Sequence, residues 1–118
     1  MPGLMYPKSG RKKKRKQHAK SILQDKDDKR CFLCMLEGNY QEQWVEEHHI
    51  YHGNSLRAIS EANGFKCNLC LSHQRIGPKA VHNGNREQDL LLMRICQEEY
   101  GKTHTREEFR ALIAKSFL

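Results

Sequence analysis

Cys31 and Cys34, and then Cys70 and His73, form two pairs of soft metal donors, each pair separated by two residues. Two side chains three positions apart on a tight turn can reach one ion at about 2.0–2.3 Å, and a tetrahedral zinc needs two such turns. The spacing therefore points to a structural zinc held by Cys31, Cys34, Cys70 and His73. Cys67 makes the same spacing with Cys70 and competes for the fourth position. It falls in an apolar run that reads as a strand, where alternation turns its side chain away from the turn at Cys70, so Cys70/His73 is preferred. Cys96 belongs to the apolar face of a helix and is read as a core residue.

A second constellation is made of imidazoles. On a strand, His48 and His49 point to opposite sides, so one could hold a metal while its neighbour stays free to take a proton. A metal-dependent nuclease needs both roles, an ion to stabilise charge on the phosphate and a base to activate water. An imidazole with an ordinary pKa near 6.5 is largely neutral at pH 7 and fit for the second role. His82 follows a Gly77-Pro78 break, after which the chain can turn back toward His48. His52 is an accessory ligand or phosphate contact, whereas His18 and His104 read as solvated.

The elements that must position these groups are short. Trp44 to Tyr51 reads as a strand carrying the histidine pair, and Phe65 to Leu69 as a second strand running into Cys70. Between them, Ser55 can cap a helix over Leu56 to Asn63, which Gly64 ends by supplying positive φ. Leu90, Leu91, Met93, Cys96 and Tyr100 recur at helical spacing between Arg86 and Tyr100, and Gly101 stops that run. Thr105 followed by Glu108 is a capping box, which predicts a last helix with Phe109, Leu112 and Ile113 facing inward. Trp44, Phe65 and Tyr40 are read as core aromatics, with a partner-facing role as the alternative.

The chain has 118 residues, enough for one small domain and too few for two independent cores. Residues 1–24 hold eight bases and no acid, leaving 13 bases against 14 acids in the rest, so the net charge of +7 belongs to the N-terminal arm. Its run Arg11, Lys12, Lys13, Lys14, Arg15 and Lys16 repels itself, is expected to be disordered, and suits a polyanion. The arm is assigned to residues 1–29 and the body to 30–118. No apolar run reaches the roughly 18–20 residues of a membrane span, and the arm lacks the apolar core of a secretory signal, so a cytoplasmic protein with reduced thiols is expected.

Taken together, Glu47-His48-His49-Ile50, Ser60-Glu61, Leu69-Cys70, Gly77-Pro78-Lys79-Ala80-Val81-His82 and the closing Phe109 with Phe117-Leu118 resemble the HNH endonucleases. Within them, the chain is similar to the recombination-enhancement, RecA-dependent nucleases of phages and prophages, over about residues 31–118. The resemblance implies an α+β fold: a small, zinc-stabilised, treble-clef-like ββα-metal domain with C-terminal helices behind a basic arm. It implies that His48 ligates a catalytic Mg²⁺ or Mn²⁺, that His49 is the general base, and that His82 is a second ligand to that ion. Asn63 stands in the interval of the motif's middle asparagine and is equally a turn residue before Gly64. Gln74 departs from the family, which commonly carries a histidine there, so the ion would be held by His48, His82 and waters.

The function expected from these features is metal-dependent hydrolysis of phosphodiester bonds in DNA, including single-stranded or recombinase-coated DNA, by a monomer. The alternative keeps the zinc and the arm and discards the chemistry, leaving a DNA- or RNA-binding module on a degenerate nuclease scaffold.

Overall fold

A computed structural model describes residues 18–53, 55–76, 80–114 and 116–118. The proposed phosphate contacts Arg11 to Lys16, and Gly77, Pro78 and Lys79 of the family pattern, lie outside the described residues. The architecture is α+β. In chain order it runs α1 (Phe32–Leu36), β1 (Val45–His49), α2 (Leu56–Asn63), β2 (Lys66–Cys70), α3 (Leu71–Gln74), a 3₁₀ turn (Val81–Asn83), α4 (Arg86–Tyr100) and α5 (Arg106–Ile113).

The two strands pair antiparallel, with Val45 opposite Cys70, His48 opposite Cys67 and His49 opposite Lys66. This register sets the histidine pair at one end of the ribbon and the Cys70 turn at the other. β1 is shorter than the run Trp44 to Tyr51 because its last residues leave the ladder. The Ile50 N–H still donates to the Phe65 carbonyl at 2.9 Å, but Tyr51 is clamped by Ser60, whose Oγ accepts from its N–H at 3.1 Å and donates to its carbonyl at 2.6 Å. A buried serine on α2 thus fixes the strand exit that follows the histidines.

An isolated two-stranded ribbon is marginal in water, and here helices and an N-terminal segment cover it. Residues 18–28, part of the arm in the sequence reading, run against β2. The Ile22 N–H donates to the Gly64 carbonyl at 3.0 Å, the Asn68 N–H donates to Gln24 Oε1 at 2.8 Å, and Asn68 Nδ2 donates to the Asp28 carbonyl at 2.7 Å. These bonds occupy polar groups along a strand edge that would otherwise template aggregation. Gly64 adopts φ +76° as it ends α2, and a Cβ there would lie 2.1 Å from the Lys20 carbonyl oxygen, so only glycine fits.

The core is built from Tyr51, Phe65, Phe109, Leu33, Ile50, Leu69, Leu92 and Cys96, all fully buried. Phe65 packs edge-on against Tyr51 and Tyr100, each at 5.3 Å between ring centroids. The Tyr51 hydroxyl donates to the Met93 carbonyl at 2.6 Å, which joins the strand exit to α4. Phe109 and Ile113 face inward from α5, Leu112 is half-buried, and both halves of the Thr105–Glu108 capping box are formed. α2 spans the expected residues, but the Ser55 side chain makes no cap hydrogen bond. Of the three aromatics read as core, only Phe65 is; Trp44 and Tyr40 are 64% and 63% exposed. Both lie in the link between α1 and β1, where no helix packs over them in the way that α4 and α5 enclose Phe65.

Candidate functional site

Cys31 caps the N-terminus of α1, and its Sγ accepts from the Cys34 N–H at 3.4 Å, so the turn that presents the two sulfurs is closed by one of them. α3 begins directly after β2 at Cys70 and carries His73 one turn on. The four donors converge. His73 Nδ1 lies 3.5 Å from Cys31 Sγ, 3.5 Å from Cys34 Sγ and 3.3 Å from Cys70 Sγ, and the Cys34 and Cys70 sulfurs are 3.8 Å apart. Tetrahedral zinc with Zn–S and Zn–N bonds near 2.3 and 2.0 Å has donor–donor edges of about 3.5–3.8 Å. The buried Cys31/Cys34/Cys70/His73 group could therefore hold a structural metal such as zinc.

The surroundings of that group fit the assignment. His73 Nε2 donates to Glu37 Oε2 at 3.0 Å, which leaves Nδ1 for the ion and fixes the ring, the usual carboxylate support of a metal-bound histidine. Gln43 Nε2 donates to Cys34 Sγ at 3.4 Å. Burial pushes the Cys31 thiol up to about 12, whereas at Cys70 the upward push of burial is outweighed by hydrogen bonds with His73, Cys31 and Cys34 together, which leave the thiol below its ordinary value. Cys67 lies outside the four-donor group, buried in the core opposite His48, and Cys96 is buried in the core on α4.

A separate cleft of about 630 Å³ opens at the histidine end, lined by Glu46, Glu47, His48, His49, His52, Arg57, Gln74, Arg75 and His82. His48 is buried and its ring centroid is 5.4 Å from that of His82, which the 3₁₀ turn Val81–Asn83 carries. Burial, then the neighbouring His82 and His52, push the His48 imidazole down to about 3, which keeps it neutral. Asn63 does not join this cleft; its Nδ2 donates to the Ile59 carbonyl of its own helix at 2.9 Å.

His49 faces α2, where its Nε2 donates to Glu61 Oε1 at 2.6 Å. Glu61 also accepts from His18 Nδ1 at 2.7 Å and from Lys66 Nζ at 3.3 Å. The hydrogen bonds from His49, then His18, hold the Glu61 carboxyl down at about 2. Glu47, His49 and Glu61 are close enough to share an ion, but the Lys66 ammonium, 3.6 Å from Glu47 and 3.3 Å from Glu61, already supplies the positive charge there. His52 Nε2 lies 3.0 Å from both carboxylate oxygens of Asp89. That hydrogen bond raises the His52 pKa.

Sequence reasoning missed three carboxylates: Glu37 behind His73, Glu61 behind His49 and Asp89 behind His52. Glu61 was visible only as part of a motif, and neither Glu37 nor Asp89 carried a signal, because each meets its histidine 36 or 37 positions away in the chain. No family model, no curated protein and no solved structure matches the chain.

Proposed function

We propose that the chain is a metal-dependent nuclease of the HNH type, hydrolysing phosphodiester bonds in DNA, with a structural zinc at Cys31, Cys34, Cys70 and His73. The observation that carries this reading is the juxtaposition in one cleft of the His48/His82 pair with a further imidazole, His49, supported by a carboxylate. The buried, unpartnered Nε2 of His48 suits it to ligate an ion, and His82 is the nearest second donor.

A divalent ion held by His48 and His82 would stabilise charge developing on the phosphate oxygens. His49 takes the proton of the attacking water. Because its Nε2 donates to Glu61, the lone pair of its Nδ1 is the basic one, and Glu61 both fixes that tautomer and stabilises the imidazolium formed. Arg57 lines the cleft and supplies positive charge for a phosphate beside the reacting one, whereas the Arg75 guanidinium is paired with Glu46 at 2.7 Å. The basic run Arg11 to Lys16 adds sequence-independent affinity; six phosphate contacts correspond to a logarithmic salt slope of about −5.

The test is nicking of supercoiled plasmid and of single-stranded DNA with Mg²⁺ or Mn²⁺, comparing the wild-type chain with His49→Ala. Loss of cutting in the variant is expected, and equal cutting by both would remove His49 from its role. A second reading, a non-catalytic DNA- or RNA-binding module, is favoured by the tight engagement of His49 with Glu61 and by Gln74 among the cleft residues. Salt-dependent binding by a wild-type chain that never cuts would support it.

A further inference from the structure

The carboxylate behind His49 serves two imidazoles. Glu61 Oε1 accepts from His49 Nε2 at 2.6 Å, while Oε2 accepts from His18 Nδ1 at 2.7 Å and from Lys66 Nζ at 3.3 Å. His18 belongs to the N-terminal segment, 43 positions before Glu61, and follows the basic run Arg11 to Lys16 after the single residue Gln17. Its side chain is 63% exposed, as a solvated histidine's would be, yet its ring is bound to the group that orients the proposed base.

An exposed contact between an imidazole and a carboxylate is weak by itself, because both side chains lose rotamer freedom in forming it. Here the backbone has already placed the donor. The Ala19 N–H donates to the carbonyl of the same Glu61 at 3.0 Å, the Ser21 hydroxyl donates to the Lys66 carbonyl, and the Ile22 N–H donates to the Gly64 carbonyl at 3.0 Å. The segment is thus bonded to the end of α2 and the start of β2, and His18 reaches Oε2 from an anchored chain.

Glu61 has three side-chain torsions, so a carboxylate held at one oxygen alone could still turn. Lys66 is a poor substitute for His18 in preventing this, because its Nζ is farther away and is divided between Glu61 at 3.3 Å and Glu47 at 3.6 Å. His18 makes the shorter bond and completes a carboxylate held at both oxygens. Held in that way, Glu61 keeps the His49 proton on Nε2 and leaves the Nδ1 lone pair for water.

We propose that His18 is a positioning residue for His49, acting through Glu61, so that the root of the basic arm contributes to turnover as well as to affinity. This rests on the reading that His49 is the general base. Lys16 and His18 are joined by a stretch of chain that spans at most about 7 Å, so the run that captures DNA and the residue that sets the base belong to one segment.

The experiment compares the full wild-type chain with His18→Ala and His18→Asn, whose amide nitrogen can stand in for Nδ1. Plasmid nicking with Mn²⁺ is resolved into kcat and KM, and proton–nitrogen correlation spectra of the imidazole rings report the His49 tautomer. The expected result for His18→Ala is a kcat lowered about tenfold, a KM within about twofold of wild type, and a His49 proton shared between both ring nitrogens. His18→Asn should recover most of the kcat and the Nε2-protonated form. Wild-type kcat and an unchanged tautomer in His18→Ala overturn the proposal and leave the nuclease reading standing. A rise in KM alone makes His18 a DNA contact, and a fall in kcat with the tautomer unchanged excludes the route through Glu61; either overturns the proposal. A wild-type chain that never cuts overturns both readings. If His18→Ala loses its zinc or its circular dichroism, His18→Leu replaces it, and loss of fold in both makes His18 a structural residue and overturns the proposal.

Discussion

Removing the metal from the Cys31/Cys34/Cys70/His73 group should unfold the body. The perturbation acts where the fold has little else to rely on. α1 has five residues and α3 has four, far below the length at which a helix persists in water, and both are anchored by the donor side chains they present. Donors at 3.3–3.8 Å from one another match the edges of a zinc tetrahedron, so little of the binding energy is lost to rearrangement. A structural zinc supplies about 10–16 kcal/mol of apparent free energy at pH 7. A domain of about 100 residues has a net stability of about 5–15 kcal/mol. The two are of one size, so the metal-free chain should lie near or below the midpoint of folding at 25 °C. The assay titrates a chelator into the reduced protein while following far-UV circular dichroism and, with a chromogenic reporter, released zinc. Loss of signal should track zinc release with one zinc per chain. A purified, reduced sample with no bound zinc that keeps its full signal and a cooperative melt would refute the reasoning.

Other outcomes follow from single contacts. Glu37→Gln should weaken zinc affinity about 10–100-fold without changing stoichiometry, read by competition with a chelator of known affinity, because it loosens the support of His73. Gly64→Ala should destabilise by at least 1–2 kcal/mol in urea unfolding, since φ +76° is strained for alanine and its Cβ would collide with the Lys20 carbonyl; wild-type stability would mean that residues 18–22 do not pack there. The Glu61 carboxyl sits at about 2, below its ordinary 4.5, so its contribution to stability is fully present above about pH 5 and is lost as the pH falls from there toward 2. With allowance for solvent screening this amounts to about 1–2 kcal/mol, and Glu61→Gln should flatten the stability profile in that window. An unchanged profile would show that the His49 and His18 contacts carry no net energy.

How much of this was legible beforehand differs by element. The helices over 56–63, 86–100 and 106–113 and the capping box at Thr105 and Glu108 are written in local periodicity and in terminating residues such as Gly64 and Gly101, and they form where expected. The exposure of Trp44 and Tyr40 was not legible, because an aromatic residue's burial depends on which distant element covers it. The same holds for the N-terminal segment. Nothing in its lysine-rich composition indicates that Gln24 and Asp28 bond Asn68 across 44 and 40 positions of chain.

The sequence by itself determined the donor types and their pairing into two turns, since ligand reach is a matter of three-residue spacing and is independent of the rest of the fold. It also determined the charge asymmetry and the helix ends, which depend on neighbours within a turn. Only the tertiary structure decided that the two cysteine-bearing turns face each other and that His82 stands 5.4 Å from His48. Packing likewise decided that Glu37, Glu61 and Asp89 stand behind three different histidines. Those pairings are set by the antiparallel register of β1 and β2 and by the docking of α2 and α4 against them. They belong to tertiary packing, where a carboxylate and an imidazole 12 to 37 residues apart become partners only once the hydrophobic core has fixed the elements that carry them.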